Sequence, residues 1–362
     1  MLVPIEFVPH VNYIRRNLFG NIPLKAIASR QEVLCPEETI DAQPTIFLPG
    51  QIDRVTGTDP GSTIALELSI VTSEILRPPP TIAHHIKDAI LINGSIYQGR
   101  FKSFIASRSF YRTPTSDPEP HHINTVGLAS SHFGSRYFGH WLIDDCTQYR
   151  LAEQHGHPLC LRGPIFPSHQ KIYQNLLGQD WTPIDRAWID DLIVYQDFHW
   201  GTPQDSLRGA QINAMRAKAR AHLPSEGAQT LVYLRRGTTG AHRPVQNEEE
   251  LLDALSRQGF KVVDVDSSSL EQMLAVLATA KVVVSIEGSQ ATHCAYSIPD
   301  NSGLILLEPP DRFLSFHRGW TASAGIRFGF VVGSPEENGY SFSPSEVLQT
   351  VELLLRQLDR TA

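Results

Sequence analysis

KVVVSIEGSQATHCAY, residues Lys281 to Tyr296, reads as a strand that runs straight into a turn. Val282, Val283 and Val284 are β-branched and show no polar alternation, which fits a strand buried on both faces inside a parallel sheet. Glu287, Gly288 and Ser289 end it, and Ala291 to Tyr296 can open a helix. In open α/β sheets ligands bind outside the strands' carboxyl ends, where free amides and a helix dipole favour an anionic group such as a diphosphate. The same pattern also fits an ordinary strand-to-helix turn with no ligand.

Working outward, TLVYLRR (Thr230 to Arg236) and FKVVDV (Phe260 to Val265) read as strands, and GLILLE and RFGFVVG follow as two more. Helical patterns alternate with them: LRGAQINAMRAKARAHL, NEEELLDALSRQG, SLEQMLAVLATA and the amphipathic SPSEVLQTVELLLRQL. Asn247 with Glu250, and Ser268 with Glu271, fit N-terminal caps, and Gly259 fits a left-handed C-terminal one. Such alternation predicts a doubly wound parallel sheet with right-handed crossovers.

The N-terminal hundred residues read differently. TIFLPG, TIALELSIV and AILINGSIYQG look like short strands broken by Gly and Pro, and Asn93-Gly94 between apolar flanks signals a tight hairpin. NTVGLASSHFGSRYFGHWLIDDCTQYRLAEQHG then leads from a strand through an aromatic turn into a helix from about His140 to His155. His140 and Asp144, four residues apart, share one face of it. Their spacing also fits a capping histidine beside an acidic first turn. The Gly-, Pro- and Ser-containing run GTPQDSL marks a boundary near residue 202. The expected division is therefore a domain over residues 1–202, a second over 203–335, and a helix over 343–360 packing back on the first.

Composition narrows the function. The chain has 362 residues, 41% hydrophobic and 19% charged, enough for a sizeable core in two domains. A formal charge of −7 gives no basic face for nucleic acid, so any anion must be bound locally. The four cysteines lie far apart, which fits reduced thiols in a cytoplasmic protein rather than disulfides or a zinc cage. No apolar run is long enough to span a membrane, although contact with a membrane surface stays open. RTPTSDPEPHH (Arg112 to His122) is loop-like.

Arg235 and Arg236, the loop GTTGAH and then Arg243 follow a strand end. Guanidinium forks match phosphate oxygens, so these residues can clamp a pyrophosphate or form a solvated basic loop. No P-loop or G-x-G-x-x-G fingerprint is present. Asp264 and Asp266 could hold a divalent ion, but acidic residues before a helix read more simply as structural. His121 with His122, His155 with His157, and His132 with His140 lack zinc-site spacing, so no metal is expected.

In order, GHWLID (Gly139 to Asp144), YLRR with Arg235, RPVQNEEEL with Arg243, Asn247 and Glu248, SLEQ with Glu271 and Gln272, and VVVSIEGSQATH make Phe138 to Glu308 resemble glycosyltransferase family 61. Many eukaryotic members carry a His-Gly-Ala-Gly-like turn where this chain has Glu287, Gly288, Ser289 and His293, and the likeness is nearer to bacterial members of surface-polysaccharide type. The resemblance implies a GT-B architecture, two Rossmann-like domains facing a cleft, with mixed β structure at this N-terminus. It also implies inverting transfer of a sugar from a nucleotide-sugar, UDP-linked by preference, to a saccharide hydroxyl without a metal cofactor. On that reading Asp144 is the first choice of base and His140 the second. Arg235, Arg243, Asn247, Glu287, Gly288, Ser289 and His293 hold the donor, and Tyr137 and Trp141 stack on the acceptor. The alternatives are a non-catalytic nucleotide- or sugar-binding protein on the same fold, and a metal-dependent enzyme using Asp264 and Asp266.

Overall fold

The computed structural model describes residues 4–105, 119–161, 167–196, 204–224, 230–238 and 240–360. The expected loop is thus described only from residue 119, its residues 112–118 lying outside that range. The chain divides into two compact units, residues 1–37 with 79–200 and residues 38–78 with 201–362.

The first unit is built on β1 (Arg30–Cys35), β2 (Thr81–Ile92), β3 (Ser95–Gln98), β4 (Phe101–Phe104), β5 (His121–Gly127) and β6 (Arg186–Gln196). Their order is β4-β3-β2-β6-β5, with β1 also on β2. Only β5 and β6 pair in parallel. The expected hairpin forms: Ile92 pairs with Ser95, and Asn93 and Gly94 both take positive φ, 45° and 72°, as a type I′ turn requires. Its core gathers Ile86, Leu91, Ile96, Val126, Leu128, Leu159, Ile189 and Leu192. A mostly antiparallel sheet corrects the expectation of two Rossmann-like domains, because tight turns link β2, β3 and β4 where a parallel sheet needs long crossovers.

The second unit is the doubly wound one. Strands β7 (Thr230–Arg235), β8 (Phe260–Asp264), β9 (Ala280–Ile286), β10 (Gly303–Glu308) and β11 (Arg327–Val332) form a sheet in the order β8-β7-β9-β10-β11, every pair parallel. Counted from β7 this is 2-1-3-4-5, and the strand order reverses between β7 and β9. Val282, Val283 and Val284 are fully buried. Leu251 and Leu255 of helix Glu248–Arg257 pack on one face beside Val347, Val351, Leu354 and Leu358 of helix Pro344–Asp359. That last helix buries its apolar stripe in the core of its own unit.

Three further expectations change. TIALELSIV forms a helix, Ile64–Thr72, started by the Thr63 hydroxyl accepting from the Leu66 amide. Residues 38–78 join the second unit: Ile46 exchanges backbone hydrogen bonds with Phe328 and Phe330, covering the β11 edge. Arg318 donates to the carbonyls of Gln43, Ile70 and Ser73 and ties the excursion down. The cap before helix Leu270–Leu277 is Ser269 in a capping box with Gln272, one residue later than Ser268.

Candidate functional site

In the second unit, four strand ends converge on the switch point. Gly288 follows β9 with φ 151°, and a Cβ there would meet the Arg236 Nη1 at 1.9 Å. Glycine is thus what lets the Arg236 guanidinium lie against the turn. From there Arg236 donates to the Glu287 carbonyl, to Gln290 Oε1 at 2.9 Å and to the Ala241 carbonyl at 3.0 Å. Burial first, and then the positive charge of Arg243, lowers the Arg236 pKa. A guanidinium in surroundings that disfavour its charge is a receptive place for an anion.

Arg243 is buried and donates to both the Glu287 carboxylate and the Glu287 carbonyl. Burial opposes ionisation of Glu287, but Arg243 and then His317 outweigh it and hold the carboxyl well below its usual range. Arg235 is taken up by Glu248, at 2.9 Å from Nε and 2.7 Å from Nη2, with Asp264 at 3.5 Å. Of the three arginines of the expected clamp, Arg235 and Arg243, the two assigned to the donor, face carboxylates, whereas Arg236 donates to the Glu287 and Ala241 carbonyls and to Gln290. The clue in the sequence is Gly288, a small residue where a strand end needs room.

The remaining donor-side residues sort by contact. Asn247 stands at the expected N-cap position and donates to Glu250 at 3.1 Å, but its side chain caps no helix amide; it also accepts from the Phe342 amide and donates to the Phe342 carbonyl, clasping the chain ahead of the last helix. Ser289 is half-buried and His293 buried within the turn Ser289–His293. Asp264 accepts from the amides of Asp266 and Ser267, and Asp266 from the Thr238 amide and hydroxyl, so both carboxylates shape the backbone. Among the described residues no group of three or more His, Cys, Asp or Glu side chains could hold a metal ion.

Glu308, the last residue of β10, is fully buried, and neither carboxyl oxygen has a hydrogen-bond partner of good geometry. Burial, then the Glu287 charge, pushes its pKa well up. The sign of the pH effect follows. Unfolded, Glu308 ionises in the ordinary carboxylate range; folded, it keeps its proton, so stability declines as pH rises from that range toward the raised pKa. Glu287 acts oppositely, its contribution disappearing as pH falls through its lowered pKa. Glu308→Gln is expected to flatten the decline on the alkaline side, read as thermal midpoint against pH; an unaltered slope would place the proton elsewhere.

In the first unit, a continuous helical stretch covers residues 138–155 with a π turn at Trp141–Asp145, where the Cys146 amide reaches the Trp141 carbonyl. Such turns concentrate at functional sites because the extra residue re-aims side chains. Here two consecutive carboxylates point to different partners. His140 Nδ1 lies 2.7 Å from Asp144 Oδ2, while Asp145 accepts from the Ser131 amide at 3.1 Å and the Ser131 hydroxyl at 2.6 Å. Burial pushes the Asp145 pKa well up. The His140 side chain is 17% exposed and that of Asp144 1%. Tyr137 is exposed beside His140, ring centres 6.0 Å apart. Trp141, expected as a stacking platform, is instead buried against Phe138 and Trp181, because a side chain at that position of the turn points into the core.

The arrangement provides a carboxylate-oriented imidazole in one unit and an arginine-lined strand end in the other. Residues 138–305 match the family model described as Glycosyltransferase 61. Over that stretch, just under half of its length, the chain is similar to glycosyltransferase family 61. The family match contains His140, Asp144, Arg235, Arg236, Arg243, Asn247, Glu287, Gly288, Ser289 and His293, whereas Tyr137, Glu308 and His317 lie outside it.

No curated protein sequence matches the chain significantly. Among solved structures, E. coli heptosyltransferase WaaC with ADP-2-deoxy-2-fluoro heptose is similar at 18% identity over 43% of this chain and 58% of that one, with a TM-score of 0.28. A mutant flavo di-iron protein from Thermotoga maritima is similar at 9% identity over 60% and 52%, also at 0.28. This chain spans less than two thirds of either, and at such scores neither likeness carries weight for fold or chemistry.

Proposed function

We propose that this protein is a glycosyltransferase that moves a sugar, with inversion, from a nucleotide-sugar to a saccharide hydroxyl, with no metal ion in the step. The observation that carries this is the 2.7 Å His140–Asp144 contact on the π turn of the family-matched segment. The acceptor oxygen attacks the anomeric carbon as the bond from that carbon to the diphosphate oxygen breaks. His140 Nε2 takes the acceptor's proton, and the bonding pair leaves on the diphosphate. Asp144 accepts from Nδ1–H, which fixes the tautomer and leaves Nε2 as the base. This reverses the first sequence expectation, since the Asp144 side chain is 1% exposed and that of His140 17%.

Charge on the leaving diphosphate is met by Arg236 at the switch point, with Arg243 and Glu287 holding the turn beneath it. This reading assigns the donor to the second unit and the acceptor to the first, as in a GT-B enzyme, with surface-polysaccharide synthesis as the setting. A binding protein without turnover is favoured only by the neutralisation of Arg235 and Arg243 by Glu248 and Glu287.

Thermal stability with UDP, GDP, ADP, TDP and CMP, each with manganese or a chelator, tests the donor half. A nucleotide at about a hundred times its Kd is expected to add ~2.7 kcal/mol, independent of metal. No shift with any of them would remove the donor site, and a shift abolished by the chelator would reinstate a metal. Binding without sugar transfer to any acceptor would favour the binding protein.

A further inference from the structure

Helix Val8–Phe19 carries an apolar stripe on its outer side. Phe7, Val11, Ile14 and Leu18 recur at spacings of four, three and four residues, which places them along one line of the helix. Phe7 is 59% exposed, Ile14 57% and Leu18 69%. Tyr13 and Phe19 are exposed beside them. The opposite side is the one the unit uses: Val8 is buried, and Asn12 donates to the carbonyls of Gly99 and Phe101. An amphipathic helix normally turns its apolar side to the core; this one turns a second apolar side outward.

Charge near the stripe is mostly positive. Between Phe7 and Gln31 the chain has no Asp or Glu but carries Arg15, Arg16, Lys25 and Arg30, the last of them paired with Glu32, in a protein whose formal charge is −7. Arg15 and Lys25 are exposed. Arg100 joins them from the β3–β4 turn, donating to the Phe19 carbonyl at 2.5 Å. The neighbouring acid, Glu6, is paired with Arg186 at 2.5 Å.

We propose that helix Val8–Phe19 docks this protein, in plane, on an anionic lipid surface. Apolar and aromatic side chains enter the headgroup–acyl boundary while flanking arginine and lysine meet lipid phosphates, the pattern of interfacial helices. Twelve residues span about 18 Å, far short of a hydrocarbon core, and no described helix is long and apolar enough to cross a membrane. A second copy of the chain fits less well, because pairing two stripes would bring the Arg15 of one copy toward that of the other.

The test is flotation of the purified full-length protein with vesicles of phosphatidylcholine alone or mixed with phosphatidylglycerol. Binding to the mixed vesicles, weakened by salt, is expected. Ile14→Ser with Leu18→Ser should lower the partition coefficient about tenfold or more, and Arg15→Gln with Lys25→Gln should lower it on mixed vesicles alone. These side chains are exposed, so circular dichroism should show every variant folded. Hydrogen exchange should show protection gained over residues 7–19 when vesicles are added. Absence of binding, protection gained only elsewhere, or equal binding to neutral vesicles overturns the proposal. A dimer that disperses on Ile14→Ser with Leu18→Ser would make a second copy the occupant instead.

Discussion

Replacing His140 with alanine is expected to lower kcat by about 10²- to 10⁴-fold, the usual contribution of a positioned base, while nucleotide affinity stays as it was. The asymmetry is structural. His140 immediately precedes the π turn of the first unit, whereas Arg236, Gly288 and Glu287 sit at strand ends of the second. Asp144→Asn separates orientation from proton transfer. The amide can still occupy the space of the carboxylate, but it can present an N–H to Nδ1 and so turn the ring to the tautomer whose Nε2 is already protonated. It should therefore reduce kcat strongly with little change in KM. A His140→Ala enzyme with near-normal turnover would remove the imidazole as base. A large loss in Asp144→Asn alone would return that role to the carboxylate.

What could be read in advance divides along the range of the interactions. The valine-rich strand and the alternation around it are local signals, and the second unit's parallel sheet follows them. Asn93-Gly94 is local too, and its hairpin forms. The His140–Asp144 contact was legible as a four-residue spacing, but the π turn was not, because it depends on how Trp141, Leu142 and Ile143 fill the core. TIALELSIV, an apolar and partly β-branched run, fits either element and folds as a helix. Thr63 caps it, and Glu67, buried within it, accepts from the Ser62 hydroxyl and the Ser315 amide, a partner 248 residues away. Residues 38–78 joined the second unit for the same reason, through pairing with β11. The Arg243–Glu287 pair, 44 residues apart, changes the meaning of both residues. Each alone looks like a ligand-binding side chain, and only the fold shows them spending their charges on each other.

That pair supports the second large prediction, a loss of about 3–5 kcal/mol in the stability of the second unit on Arg243→Ala. Removing the guanidinium takes the principal counter-charge from the Glu287 carboxylate in a buried site. It also takes a donor from the Glu287 carbonyl, leaving Arg236 to hold the turn. His317, 3.7 Å from the other carboxylate oxygen, offers only a longer contact in its place. Most of the cost is thus the unpaired charge, not lost packing, and a second substitution can show this. Arg243→Met with Glu287→Gln removes both charges and keeps the volume, so it should recover much of the stability, since a buried ion pair gains little over a neutral replacement. Urea unfolding followed by circular dichroism measures both variants. If Arg243→Ala costs under about 1 kcal/mol, the pair behaves as a solvated one and Arg243 is free to meet a ligand. If it costs the full amount and the double variant recovers, Arg243 is the support of the β9 turn, and the contact to phosphate falls to Arg236.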